Sequence, residues 1–109
     1  MTRLNLKRLK RDILPIENAL DKILMLNGVT YNWNKEFDPD KNLDDDNHIG
    51  LLAQDVEKII PQIVSTDDSK HQLKSMAYTE LIPVLIEAIK EQQTQINELK
   101  NKLKDTPYG

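Results

Sequence analysis

From Ile82 to Leu103 the large apolar side chains recur at alternating steps of three and four, and no other stretch of the chain constrains the fold as strongly. Placing Ile82, Ile89, Ile96 and Leu103 at heptad position a puts Leu85, Gln92 and Leu99 at d. This is a coiled-coil seam of about three heptads. The spacing predicts one helix over 79–104, with Thr79 as N-cap and Pro83 in or just after the first turn, where a missing N–H does least damage. A helix with one apolar stripe must bury that stripe. Residues 94–104 are polar apart from Ile96, Leu99 and Leu103, and such a segment is marginal alone in water. The rest of the chain offers no second helix of matching length, so the same helix of other copies is the expected partner. Packing on the chain's own body is expected near Val84, Ile86 and Ala88, where apolar residues leave the seam. Ile at a with Leu at d favours two strands, whereas a ring of Gln92 side chains can satisfy itself in a trimer. The pattern alone leaves both numbers open.

Self-association also suits the size of the chain. In 109 residues only 39% are apolar and 5% aromatic, so a small core of Leu, Ile and Val is expected, and oligomerisation is one way to stabilise it. Charged residues make up 30% with both signs mixed, and the net charge of −3 gives no general attraction to nucleic acid. Arg3, Lys7, Arg8, Lys10 and Arg11 form a basic cluster, read as a solvated face or arm, with a phosphate-binding arm as the alternative. The absence of cysteine excludes disulfides, thiolate metal sites and cysteine nucleophiles. No apolar run approaches the roughly 20 residues that span a bilayer, and no apolar signal-peptide core follows the basic start.

Upstream of the seam the elements are short. Ile16, Ala19, Leu20, Ile23 and Leu24 mark one helix face, with Pro15 at its start and Asn27-Gly28 at its end. Val29, Tyr31 and Trp33 alternate with polar residues, as in a half-buried strand. Residues 34–48 read as a polar loop, and Ile49 to Ala53 as a buried strand or turn. Val56, Ile59 and Ile60 share the face of a short helix stopped by Pro61, with Asp55 favourable in its first turn. Ile63-Val64 and Leu73 to Tyr78 are candidate strands joined by a turn at 66–70. The fold class is therefore α+β: a basic arm over 1–14, a mixed head over 15–78, a coiled-coil helix over 79–104 and a tail over 105–109.

Little of this pattern carries chemistry. The run Asp44-Asp45-Asp46 can attract Ca²⁺, but it lacks EF-hand spacing and reads as a solvated loop. His48 and His71 lie far apart within polar stretches, so no metal pair is assigned. There is no Gly-rich phosphate loop and no zinc pattern. No cofactor and no metal are expected.

An ordered set of blocks does resemble a known family. It comprises Leu9 to Ile13, Ile16 to Lys22, Leu26 to Trp33, Gly50-Leu51-Leu52-Ala53-Gln54-Asp55-Val56-Glu57 with Ile49 before it, Pro61 and Val64, then Met76 to Leu81 running into Leu85 to Glu91. Together they are similar to the chaperone-of-endosialidase, or peptidase S74, family. The resemblance implies a C-terminal domain of phage tail spikes and tail fibres, a homotrimer that sets register for the upstream fibre polypeptide. It places the chain in a virion fibre or spike, or in the host cytoplasm during assembly, with no membrane or nucleic-acid partner. It further implies self-cleavage by a Ser–Lys dyad, in which the Ser hydroxyl attacks the preceding peptide bond and a neutral Lys takes the proton. Lys10, in a Leu-Lys-x-x-Ile context, matches the dyad lysine, but Asn5 stands where the nucleophilic Ser belongs and Leu6 where an Asp usually follows. Thr2 is the one nearby hydroxyl and is out of register. An amide cannot replace the alkoxide, so no self-cleavage is expected of this chain. A degenerate copy, a piece beginning near the processing site and a separately encoded module all fit.

An assembly module is thus the leading reading. A Ser–Lys self-protease, a retained cap of the fibre and a coiled-coil adaptor for another protein are its rivals.

Overall fold

The computed structural model describes residues 4–105, so Thr2, Arg3 and the tail from residue 106 lie outside the described residues. In chain order the elements are α1 (Ala19–Leu24), β1 (Val29–Tyr31), β2 (His48–Gly50), α2 (Ala53–Glu57), β3 (Val64–Thr66), β4 (Lys74–Met76) and α3 (Leu81–Lys104). The α+β class read from the sequence is the class observed.

The strands make two separate antiparallel pairs. Val29 faces Gly50 and Tyr31 faces His48 in the first. Val64 faces Met76 and Thr66 faces Lys74 in the second. The turn of the second pair is built by Asp67, whose Oδ1 accepts from the Ser69 N–H at 3.0 Å, the Ser69 Oγ–H at 2.6 Å and the Leu73 N–H at 3.0 Å. The Ser69 contacts, first among these, hold the Asp67 carboxyl below its ordinary value. Lys74 then ties this hairpin to α2 through Glu57 at 3.0 Å.

One small core joins these pieces. Ala19 and Leu20 of α1, Val56 of α2, Ile60 and Ile63 beyond it, and Leu81, Val84 and Ala88 of α3 are its buried residues. Ile16, Ile23, Leu26, Leu51, Ile59, Val64 and Met76 pack around it. The molecule extends 67 × 41 × 23 Å with a radius of gyration of 19.6 Å. A compact chain of this length has a radius near 13 Å. Most of α3, about 36 Å long at 1.5 Å per residue, projects beyond the core.

Helix α1 departs from its sequence expectation at both ends. It begins at Ala19, not at Pro15, because Asn18 takes a left-handed φ of 56° and no side chain of its own caps the start. The cap comes from far along the chain. Glu91 Oε1 accepts from the Ala19 N–H at 3.1 Å and Oε2 from the Leu20 N–H at 2.9 Å. A carboxylate on two free N–H groups at a helix start satisfies donors that the helix itself leaves open. Replacing Glu91 by Ala removes both acceptors at a partly buried site, and an expected cost of about 1–3 kcal/mol follows. Chemical unfolding of the variant against Glu91→Gln, which keeps one acceptor, checks this.

At its other end α1 stops at Leu24, and Gly28 has no positive φ, so the glycine is not the left-handed cap that Asn27-Gly28 suggested. Leu24 is exposed. Ile49, expected in a buried run, is also exposed, because β2 turns Gly50 inward instead. Trp33 lies just past the end of β1. The short helix α2 ends at Glu57, a few residues before Pro61, yet Val56 and Ile60 are buried as expected. Thr79 does not cap α3. It sits inside a 3-10 turn over Tyr78–Glu80 that runs directly into the helix, with Glu80 at the cap position. Pro83 falls at the third residue of α3, still within the first turn.

Candidate functional site

Helix α3 has two faces with opposite fates. Leu81, Val84 and Ala88 are 8%, 6% and 3% exposed and pack against α1 and the core. The seam side chains point elsewhere: Ile82, Leu85, Ile89, Ile96, Leu99 and Leu103 are all exposed, from 42% at Leu85 to 70% at Leu103. Gln92, in the middle of that stripe, is exposed too. The split follows from the heptad itself. Leu81, Val84, Ala88 and Glu91 fall at g and c, the side next to d, so docking the head there leaves the a/d stripe open. Ile86 was grouped with the residues that pack on the body; it is 52% exposed, at position e on the far side of the stripe. The upper end of the open face is therefore wider than the a/d positions alone.

The second candidate is the Lys10 pair. A single 3-10 turn over Lys7–Leu9, with the Lys10 N–H donating to the Lys7 carbonyl at 3.0 Å, folds residue 10 back toward residue 5. Lys10 Nζ donates to Asn5 Oδ1. The two positions that match the dyad are thus brought into contact, with an amide facing the ammonium. Both residues are exposed.

The block from Gly50 to Glu57 also finds a physical reason. Gly50 is buried under the Tyr78 ring, and a Cβ there would stand 2.7 Å from Tyr78 Oη and 3.4 Å from Tyr31 Cε1. The Leu51 N–H donates to Tyr78 Oη at 3.0 Å, and the Ala77 N–H to the Ile63 carbonyl at 2.9 Å. Two sequence blocks almost thirty residues apart therefore meet at one contact. Sequence reading singled out both blocks and missed their meeting. It also gave Glu91, the last residue of the block from Leu85, no role of its own.

The acidic loop is organised by His48. Its Nε2 lies 2.8 Å from Asp44 Oδ1, and its ring stacks on Tyr31 at 5.4 Å between centroids while Trp33 tilts against it at 5.1 Å. The His48 contact first, then the Asp46 N–H, hold the Asp44 carboxyl below its ordinary value of 3.8. A carboxyl with a lowered folded value supports the loop at pH above the unfolded value and loses that support as pH falls through the lowered one. Asp44→Asn is therefore expected to remove a change in Trp33 fluorescence that sets in as pH falls below about 3.8. His71 lies apart, against Phe37 at 4.5 Å between ring centroids. Among the described residues no group of three or more His, Asp or Glu side chains is placed to hold a metal. No described helix is long and apolar enough to cross a membrane.

Comparison with known proteins gives this geometry a family. Residues 7–65 match the peptidase S74 family, described as chaperone of endosialidase. The chain is 33% identical over 100 residues to the long tail fiber protein Gp37 of Salmonella phage S16, covering 91% of this chain and 13% of that protein. It is 36% identical over 98 residues to the long tail fiber protein Gp37 of Enterobacteria phage K3, covering 88% of this chain and 8% of that protein. The chain thus spans a small fraction of the relatives it matches. With more than half of its length within the matched region, and Lys10, Gly50 and Val56 inside it, the chain belongs to the chaperone-of-endosialidase family.

Proposed function

We propose that this chain is a self-associating assembly module that guides the folding of a phage tail fibre, forming a homotrimer through the a/d face of α3. One observation carries the reading: the apolar seam from Ile82 to Leu103 is exposed along its whole length, while the adjoining face of the same helix is already docked on the head. Seam residues of this kind contribute about 1.5–3 kcal/mol each when fully buried. The family and the tail fiber relatives support the fibre role; the seam pattern itself suits two strands or three, and the choice of three rests on the family resemblance. Bringing three chain ends together raises the effective concentration of the strands attached to them. Non-local β-pairing, slow on its own, then starts from a fixed register.

Self-cleavage is not part of the reading. Lys10 touches Asn5, but Asn5 offers no hydroxyl. In a fusion to an upstream fibre segment, the natural sequence is expected to remain uncut. Asn5→Ser supplies the missing nucleophile beside Lys10, and a cut before position 5 in that variant alone supports the match of residue 10 to the dyad lysine. The assembly role is tested in the same fusion. Intact α3 is expected to give soluble, detergent-resistant fibre, and Ile89→Asp with Ile96→Asp to give aggregated fibre. Equal yields of folded fibre from both would reject the role.

A further inference from the structure

Glu91 is the last residue of α3 that the head partly covers. Every described residue after it, from Gln92 to Asp105, is exposed. The helix therefore divides at this point. Up to Ala88 the core holds it, and beyond Glu91 no side chain is buried or half-buried. The helical segment from Gln92 to Lys104 is mostly polar, and without cover it is marginal in water. Its first turn nevertheless holds Glu91, because the carbonyl of each helical residue accepts from the N–H four positions on.

Helix α1 depends on that residue in turn. It has six residues, too few to persist on their own hydrogen bonds. Asn18 enters it at a left-handed φ of 56°, and no side chain at that position caps it. The Ala19 and Leu20 N–H groups instead donate to one carboxylate, that of Glu91. The same two residues carry α1 into the cluster that holds Val84 and Ala88. The arm, residues 4–14, leads into this start through Pro15. We propose that Glu91 couples assembly to the folding of the head: covering Ile96, Leu99 and Leu103 in the oligomer keeps the turn that carries Glu91 helical, and Glu91 then fixes the start of α1.

The inference rests on the seam reading, and the projecting half of α3 is its two-state element. In a lone chain that half frays from Lys104 back toward Glu91, the carboxylate leaves the two N–H groups, and α1 loosens. In the oligomer the covered seam keeps the half helical and the carboxylate in place. The coupling is reciprocal, so an intact contact between Glu91 and α1 also favours association. Opening confined to one element shows in the exchange of its amides.

Hydrogen exchange of the full chain, read at the Ala19 and Leu20 amides with light scattering on the same samples, tests the coupling. Leu99→Asp with Leu103→Asp breaks the seam about 12 and 18 Å along the helix from Glu91, at side chains that are exposed and outside the core. In that monomeric variant both amides should exchange about tenfold faster, or more, than in the oligomeric natural chain. The Ile60 amide, which donates to the Val56 carbonyl at 2.7 Å, should change far less. Glu91→Ala leaves the seam untouched; both amides should exchange fast in either state, and association should need several-fold more protein. The seam variant retains Glu91, so the test stands even where Glu91→Ala does not fold. Equal protection of the two amides in the oligomer and in the seam variant overturns the coupling and leaves the seam reading standing. A loss shared equally by Ile60 also overturns it, since the head would then loosen as a whole, as does unchanged association of folded Glu91→Ala. A natural chain that is monomeric, or a seam variant that is still oligomeric, overturns both.

Discussion

Changing Ile89 and Ile96 to Asp is expected to leave a folded monomeric head. Both side chains lie on the open stripe, and neither belongs to the buried cluster. Their loss should therefore act on association and not on the core. A charge at an a position of each strand must be desolvated in every copy at once, and the assembly loses about 1.5–3 kcal/mol of burial per replaced side chain as well. The effect is multiplied by the number of strands. Helix content should fall too, because residues 94–104 lose the contacts that hold a polar helix together. The head signals, from Trp33 and the packing around Val56, should persist. The matching change on the docked face behaves differently: Val84→Asp buries a charge against α1 and should unfold the head itself.

Gly50→Ala is expected to destabilise the head, whereas Gly28→Ala is not. The added Cβ meets Tyr78 Oη at 2.7 Å, inside contact distance, so the ring must move. Overpacking of this sort costs about 1–3 kcal/mol, and the lost hydrogen bond to Leu51 adds about 0.5–1.5 kcal/mol. In a domain with so small a core this should lower the melting temperature by roughly 10 °C or more. Tyr78→Phe removes the hydroxyl alone and should cost about 1 kcal/mol. The double variant should be more stable than the sum of the singles, because the clash disappears with the oxygen. Gly28→Ala is the control, since nothing lies within 4 Å of a Cβ there and its φ is not positive. That variant should be neutral or slightly stabilising, by up to about 1 kcal/mol. Thermal unfolding of the four variants decides the matter.

The elements that periodicity marks clearly were legible in the sequence. The long helix ends at Lys104 as read, and its seam is apolar and continuous. Val56 and Ile60 fell on a buried face, and both candidate strands around residues 63–78 formed a hairpin. What failed was local capping logic. Pro15, Gly28 and Thr79 are all residues that commonly start or stop helices, and none does so here. Tertiary contacts decide those ends instead: a carboxylate from α3 starts α1, and a 3-10 turn launches α3. A cap supplied from some seventy residues away leaves no mark on local sequence. Ile49 and Ile86 show the same limit for burial, since each is apolar, each was placed inside, and each is exposed. The exposed stripe and the Asn5–Lys10 contact involve residues that the sequence singled out. The seam and the Lys10 position came directly from spacing and from the family blocks, whereas the Gly50–Tyr78 contact needed the fold to bring two blocks together.

The central claim is that the open stripe of α3 is covered by other copies of the same chain. The most direct measurement is the absolute mass of the intact chain by light scattering across a wide range of concentration. A mass near three chains that persists on dilution is the predicted result, and it places Ile82 to Leu103 on the axis of a trimer. A mass of one chain at every concentration would contradict the account, because the seam would then be exposed in solution with no copy of itself to cover it.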